Sequence, residues 1–329
     1  MALTTTRRFT GLLAGSAALL LALAGCGGAG EEASADTDTG QASSEQWPRT
    51  FTNADGSTTT IEAKPERIVS TVSVTGTLLA IDAPVVGSTT GGNGDFFGQW
   101  SDVAESEGVV PLFPAGSVDI EALIGQDPDL IVTSASGADT LTDNLAELNE
   151  IAPTIVVDQG GQTWQDLAED LGEATGLEDE ATAAAEEFDA YVADAAAKIE
   201  VPEGTANIIS FNGPGETNPI ARAGSAHAEI LTALGFRVED PPAEWHSQPQ
   251  QREDFVFASY ENLTELTSAT TFILMQDEAG AQAFAQDPVL ANLPSVANGA
   301  VHGLGKNSFR VDQYSATEIV DSVVENFGG

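Results

Sequence analysis

The chain has almost no cysteine, few cations and no long apolar run, and each shortage removes a class of protein. A single cysteine, Cys26, stands among 329 residues, so no disulfide can form within the chain and packing alone must hold the fold. Lys and Arg number 11 against 51 Asp and Glu, a formal net charge of −40 at pH 7. Nucleic-acid phosphates would be repelled over the whole of such a surface, so no nucleic-acid partner is expected. The uncharged run Leu12 to Gly25 falls short of the roughly 20 apolar residues that span a bilayer. Gly-x-Ser-x-Gly, His-Glu-x-x-His and a phosphate-binding loop are missing too, so the chain does not read as an enzyme. The three histidines, His227, His246 and His302, all fall in the C-terminal half on unlike segments. A metal site drawing ligands from both halves would therefore lack a histidine from the first.

What is there begins with an export signal. Arg7 and Arg8 supply a positive start, an apolar stretch follows, and Leu23-Ala24-Gly25-Cys26 closes it. The pattern resembles the bacterial lipobox, in which the cysteine thiol is acylated and becomes the new N-terminus. Residues 1–25 are thus expected to be a lipoprotein signal peptide, with Cys26 as the lipidation site. The alternative is an ordinary secretory signal with an incidental cysteine. Residues 26–46 contain no aromatic residue and no Val, Ile or Leu, so they cannot bury enough apolar surface to offset their ordering entropy. They form a tether that could reach about 70 Å when extended. The rest would sit outside the cell membrane, anchored to its outer face through lipid alone.

Residues 47–329 are long enough for two lobes. Short β-branched runs (Arg67 to Thr71, Pro84 to Ser88, Asp129 to Thr133, Thr154 to Asp158) alternate with helical segments (Thr77 to Asp82, capped by Thr75-Gly76; Asp119 to Gly125; Leu141 to Ile151; Thr163 to Thr175). Such alternation marks an α/β sheet of parallel strands covered on both sides. Glu178 to Ile199 then has no internal Gly or Pro, and Ala181, Ala184, Ala185, Phe188, Val192, Ala195 and Ile199 recur at helical steps. After Pro202-Glu203-Gly204 the alternation resumes, with strands at Asn207 to Phe211, Phe236 to Val238, Thr271 to Met275 and Ala300-Val301. The expected architecture is two Rossmann-like lobes with parallel sheets joined by one long helix. The N-terminal lobe is 47–177, the connecting helix 178–200 and the C-terminal lobe 201–329.

Several motifs carry a resemblance. "KPERIVS" (64–70), "IEALIGQDPDLIV" (120–132), "SYENLTEL" (259–266) and "DPVLANLPSVANGAVHGLG" (287–305) resemble the ABC-importer substrate-binding proteins with two lobes and a rigid connecting helix, the class III periplasmic-binding fold. "STVSVTGTLLAIDAPVVGS" (70–88), "FFGQWSDVA" (96–104), "DLIVTSASGAD" (129–139) and "FRVDQYSA" (309–316) are similar to the ferric-enterobactin-binding branch of that family. The resemblance covers nearly all of 64–327. It implies capture of a ferric siderophore between the lobes and delivery to an ABC permease with its ATPase, by a protein expected to be monomeric.

A ferric siderophore encloses its iron in its own oxygens, so the protein needs no metal ligand and no cofactor. A triscatecholate complex is an anion with flat faces, which calls for guanidinium groups and aromatic walls. The candidate ligand-binding residues are Arg222, Arg252 and Arg310, with Phe96, Phe97, Trp100, Trp245 and Tyr314 as walls. Arg252 ("QQRED") and Arg310 ("FRVDQYSA") fall where the family has basic residues. Where the enterobactin binder has an aromatic residue this chain reads Ile220-Ala221-Arg222, which leaves a mixed or hydroxamate siderophore open. Haem, a corrinoid or a directly bound metal ion are the rival ligands. In this family a glutamate on each lobe meets permease arginines, and by motif these are Glu121 and Glu261. Acids in a first helical turn also complement the helix dipole without any partner.

Overall fold

The computed structural model describes residues 46–249 and 252–329 and opens on an antiparallel hairpin, β1 (Arg49–Thr52) paired with β2 (Thr58–Ile61). The first α/β unit follows as β3 (Ile68–Ser70), α1 (Val72–Ala80), β4 (Val85–Thr90), α2 (Ser101–Glu107), β5 (Val110–Pro114), α3 (Ile120–Ile124), β6 (Leu130–Ser134), α4 (Leu145–Ile151) and β7 (Thr154–Val157). Its sheet runs β5-β4-β3-β6-β7 and every pairing is parallel. Successive side chains leave a strand on opposite faces. Ile68, Leu130, Val132 and Ile155 accordingly enter one core, and Val69 and Ile131 enter another with Phe113 and Leu148.

Two helices link the sheets. In α5 (Trp164–Thr175), Thr163 and Asp166 form a reciprocal capping box, and Gly176 stops the helix at φ 72°. α6 (Glu178–Ala196) has 19 residues and buries Ala181, Ala184, Phe188, Val192 and Ala195 along one stripe, giving a rod of about 29 Å. It ends three residues earlier than its apolar pattern suggests, because Ile199 pairs with Gly328 in an isolated antiparallel bridge.

The second unit comprises β8 (Ala206–Ile209), β9 (Asn218–Ala221), α7 (Ala226–Ala233), β10 (Phe255–Ala258), β11 (Thr270–Ile273), α8 (Glu278–Ala285), α9 (Pro294–Ala297), β12 (Val301–Gly303) and α10 (Gln313–Phe327). Its sheet runs β10-β9-β8-β11-β12. β8, β11 and β12 are parallel, as expected, but β9 is antiparallel to both β8 and β10. The reason is connection length. Only residues 210–217 separate β8 from β9, with Gly213 and Gly215 at positive φ, and a parallel crossover needs a dozen residues or more.

Two further expectations shift. Phe236 to Val238 forms a single parallel bridge, Val238 to Ala206, instead of a strand, while Phe236 packs between Phe272 and Phe327. The first helix starts at Val72, not Thr77, so Gly76 lies inside α1 and caps nothing. A Cβ at Gly76 would stand 2.4 Å from Asp312 Oδ2 and 2.8 Å from Trp100 Cδ1. The glycine is there for close approach between α1, the loop before α2 and the start of α10.

Candidate ligand-binding cleft

In the N-terminal lobe the cleft is built where parallel strands end. Ser136 and Gly137 follow β6, and Gln159 and Gly160 follow β7, the position at which open α/β sheets bind ligands. Gly137 has φ 104°, a conformation that glycine adopts freely, and a Cβ there would stand 3.6 Å from Arg310 Nη2. That is ordinary van der Waals distance, so the guanidinium reaches this loop closely and it is the backbone conformation of Gly137 that favours glycine.

The C-terminal lobe contributes a strand face. The antiparallel register sets Phe255 opposite Ala221 and Phe257 opposite Pro219, so Phe255, Phe257 and Pro219 share a face and line the cleft. Phe309 stacks on Phe255 with centroids 6.0 Å apart and planes at 23°. β10 is the edge strand of its sheet; on this face Phe257 is half-buried, while Phe255 is 4% exposed against Phe309. The enclosed space is about 150 Å³.

Of the expected residues, the structure brings Arg252 and Arg310 together in this cleft. Arg310 is half-buried, and the Gln159 amide oxygen accepts from its Nη1 at 3.1 Å when the amide is turned so that its nitrogen donates to Ser73 O. Among the described residues Arg310 makes no ion pair within 4.0 Å. Burial pulls its proton affinity below the ordinary value; Asp139 opposes this, Arg252 adds to it, and Asp254 opposes it. An arginine nonetheless stays charged, so this is a desolvated cation held by a neutral amide. Arg252 is more exposed. Its Nε and Nη2 donate to Asp254 at 2.7 and 2.5 Å, and that hydrogen-bonded carboxylate holds its pKa above the ordinary value. Arg252 also lies 5.9 Å from the centroid of Phe257. Arg222 sits behind it, its Nε donating to the Arg252 carbonyl at 3.1 Å.

The expected aromatic walls mostly lie elsewhere. Trp100 is 1% exposed and buried in the main core beneath Phe96 and Phe97, at centroid distances of 5.2 and 6.2 Å. It supports the loop and does not face the cleft. Phe96 and Phe97 are half-buried and pack on that core too. This loop meets the C-terminal segment, because Gln99 Nε2 donates to Asp312 at 3.1 Å. Trp245 packs against the core on the opposite face of the second sheet, with Ile220, Ala258 and Phe211. Tyr314 is placed by burial and by Asp312, Asp82 and Glu107, which push its hydroxyl up to about 12. Glu121 and Glu261 are both exposed at the starts of α3 and of the short helix Glu261–Glu265. Cys26 and the tether up to residue 45 lie outside the described residues.

Phe255, Phe257, Phe309, Gln159 and His227 also line the cleft, and residue pattern alone did not select them. The alternating Phe255-Val256-Phe257 was the available signal. His227 Nε2 donates to Ser308 O at 2.8 Å, and burial lowers its pKa, so it stands as a neutral packed imidazole. His246 accepts from Phe257 N at 3.3 Å, and His302 lies 3.3 Å from Glu278. Among the described residues no group of three or more His, Cys, Asp or Glu is placed to hold a metal ion.

Comparison with known proteins agrees with this architecture. Over 286 residues the chain is 37% identical to the ferric enterobactin-binding periplasmic protein FepB of Escherichia coli, covering 84% of this chain and 89% of that one. It is 26% identical over 265 residues to a probable siderophore-binding lipoprotein, YfiY of Bacillus subtilis, covering 77% and 79%. The crystal structure of holo-ViuP is 48% identical with a TM-score of 0.85, covering 87% of this chain and 97% of that one. Residues 72–307 match the family described as periplasmic binding protein, and the chain belongs to that family.

Proposed function

We propose that this protein is the extracytoplasmic solute-binding component of an ABC importer and captures a ferric siderophore between its lobes. The observation that carries the reading is Arg310, a desolvated guanidinium with no ion-pair partner among the described residues, facing Arg252 between Phe255, Phe257 and Phe309. A buried cation of this kind is stabilised by an incoming anion, and flat aromatic walls suit catecholate rings. The relatives named for ferric enterobactin and for siderophore binding support the same ligand class. Recognition is outer-sphere: the siderophore holds the iron, the protein holds the siderophore, and no reaction or resident cofactor is assigned. A space of about 150 Å³ is small beside ligand pockets of about 300–1,000 Å³, so the lobes separate to admit the complex. Glu121 and Glu261 are assigned to docking on the permease, and Cys26 to a lipid anchor on the outer face of the membrane.

The rival ligands are less well served. Haem ligation would use a histidine in the cleft, but His227 is only 5% exposed and packs edge-on against Phe255 at 5.5 Å. Calorimetric titration of the metal-free protein with a ferric catecholate, a ferric hydroxamate, haem and free Fe³⁺ tests the proposal. Saturable binding of a ferric siderophore alone is the expected result. Binding of haem or bare iron in its place would overturn it.

A further inference from the structure

Each cleft arginine is accompanied by a carboxylate. Asp254 lines the cavity and grips Arg252 through both of its oxygens. Asp158 faces the same guanidinium from the opposite lobe. A Cβ on Gly160 would lie 3.6 Å from Asp158 Oδ1, 3.7 Å from Arg252 Nη2 and 3.9 Å from Asp254 Oδ2, so the three groups converge on one point. At the other arginine, a Cβ on Gly137 would lie 3.1 Å from Asp139 Oδ1 and 3.6 Å from Arg310 Nη2. Asp139 is itself fixed there by the Ser73 N–H at 3.0 Å. Two guanidiniums thus share the cleft with three carboxylates, so it presents aimed N–H donors without a net positive charge.

We propose that these carboxylates, Asp254 foremost, act as a charge filter that selects a catecholate-containing ferric siderophore of low net charge over a triscatecholate trianion. The proposal rests on the siderophore reading and narrows it. Hydrogen bonds from a guanidinium reward correctly placed oxygens whatever the total charge, whereas a fixed carboxylate in a partly desolvated site repels in proportion to ligand charge. A trianion approaching Arg252 has to share it with Asp254. A complex of lower charge, or one offering an amide or hydroxyl donor, finds Asp254 neutral or favourable.

The test is Asp254→Asn, which keeps an acceptor for Arg252 and removes the charge. Wild type and variant are titrated calorimetrically with ferric enterobactin as the trianion, a ferric bis-catecholate of lower charge, and neutral ferrichrome. Asp254→Asn is expected to tighten the trianion about tenfold and to change ferrichrome binding less than about twofold. Wild type should bind the lower-charge catecholate more tightly than the trianion. Asp158→Asn, on an exposed turn, should act in the same direction by about threefold without touching the Arg252 hydrogen bonds. Unchanged or weaker trianion binding by both variants, where the wild-type protein binds the trianion measurably, would make Asp254 a positioning residue and overturn the filter. If neither wild type nor variants bind any ferric siderophore, the functional reading itself fails and takes the filter with it.

Discussion

Arg310 Nη1 lies 3.1 Å from the side-chain oxygen of Gln159, so a cation from the segment before α10 is held by the loop after β7. That contact joins the two halves of the cleft without neutralising the charge. Replacing Arg310 by Met keeps most of its packing stem and removes the cation. Ferric siderophore affinity is expected to fall at least tenfold, since hydrogen bonds to charged groups contribute about 1.5–3 kcal/mol each. The melting temperature should hold or rise, because a buried charge replaced by an apolar group of similar volume is often neutral or stabilising. A variant that melts earlier yet binds normally would assign Arg310 to the fold and not to the ligand.

That Arg252 and Arg310 line one cleft was legible in the sequence because cations are scarce on so acidic a chain and both lie in loops. The aromatic residues that line it with them were not. Trp100, Phe96 and Phe97 form a conspicuous cluster, but Trp100 is drawn beneath the loop by the space that Gly76 leaves. Phe255 and Phe257 come to line the cleft because β9 runs antiparallel and pairs β10 at the sheet edge. That reversal depends on the length of the β8–β9 connection, which hydrophobic pattern does not encode. The parallel first sheet and α6 were legible for the opposite reason. β3, β6 and β7 are buried along their whole length, so they read as short unbroken apolar or β-branched runs, and the buried residues of α6 recur with the helical period of about 3.6.

Gly76 supplies a stability prediction that reverses helix propensity. Ala inside a helix is ordinarily favoured over Gly by about 1 kcal/mol. Here the added Cβ would collide with Asp312 Oδ2 at 2.4 Å and with Trp100 at 2.8 Å, and overpacking of a rigid core costs about 1–3 kcal/mol. Gly76→Ala is expected to lower the denaturation midpoint, while Gly92→Ala, with nothing within 4 Å of its Cβ, should leave it nearly unchanged. Equal midpoints for the two variants would show that α1 and α10 can move apart freely.

Asp312 makes stability pH-dependent in a direction opposite to most carboxylates. It caps α10 by accepting from Ser315 N at 2.9 Å, and burial pushes its carboxyl from 3.8 up to about 6. The folded state therefore binds this proton more tightly than the unfolded chain does. Its stabilising contribution is present in full below the unfolded value and is lost as pH rises to about 6. A rise of that size corresponds to about 3 kcal/mol at most. Asp312→Asn keeps a good capping residue and removes the titration. Its melting temperature relative to wild type is expected to climb between pH 4 and pH 7 and then level off. A difference that stays flat over that range would mean that Asp312 is ionised in the fold throughout.

Glu121 and Glu261 give a prediction that separates capture from delivery. Both side chains are exposed. Ile124, one turn along α3 from Glu121, is 54% exposed, so an acid and an apolar side chain on that helix offer a charged and a hydrophobic contact to one partner surface. Surface charges of this kind affect stability by about 0.5 kcal/mol or less. Glu121→Arg and Glu261→Arg should therefore leave melting temperature and siderophore affinity unchanged in the isolated protein. Uptake of ⁵⁵Fe-siderophore by cells or proteoliposomes carrying the transporter should fall severalfold for each and be nearly abolished for the pair. Normal uptake by the double variant would remove these glutamates from the docking surface, and lost affinity would place them in the cleft's own energetics instead.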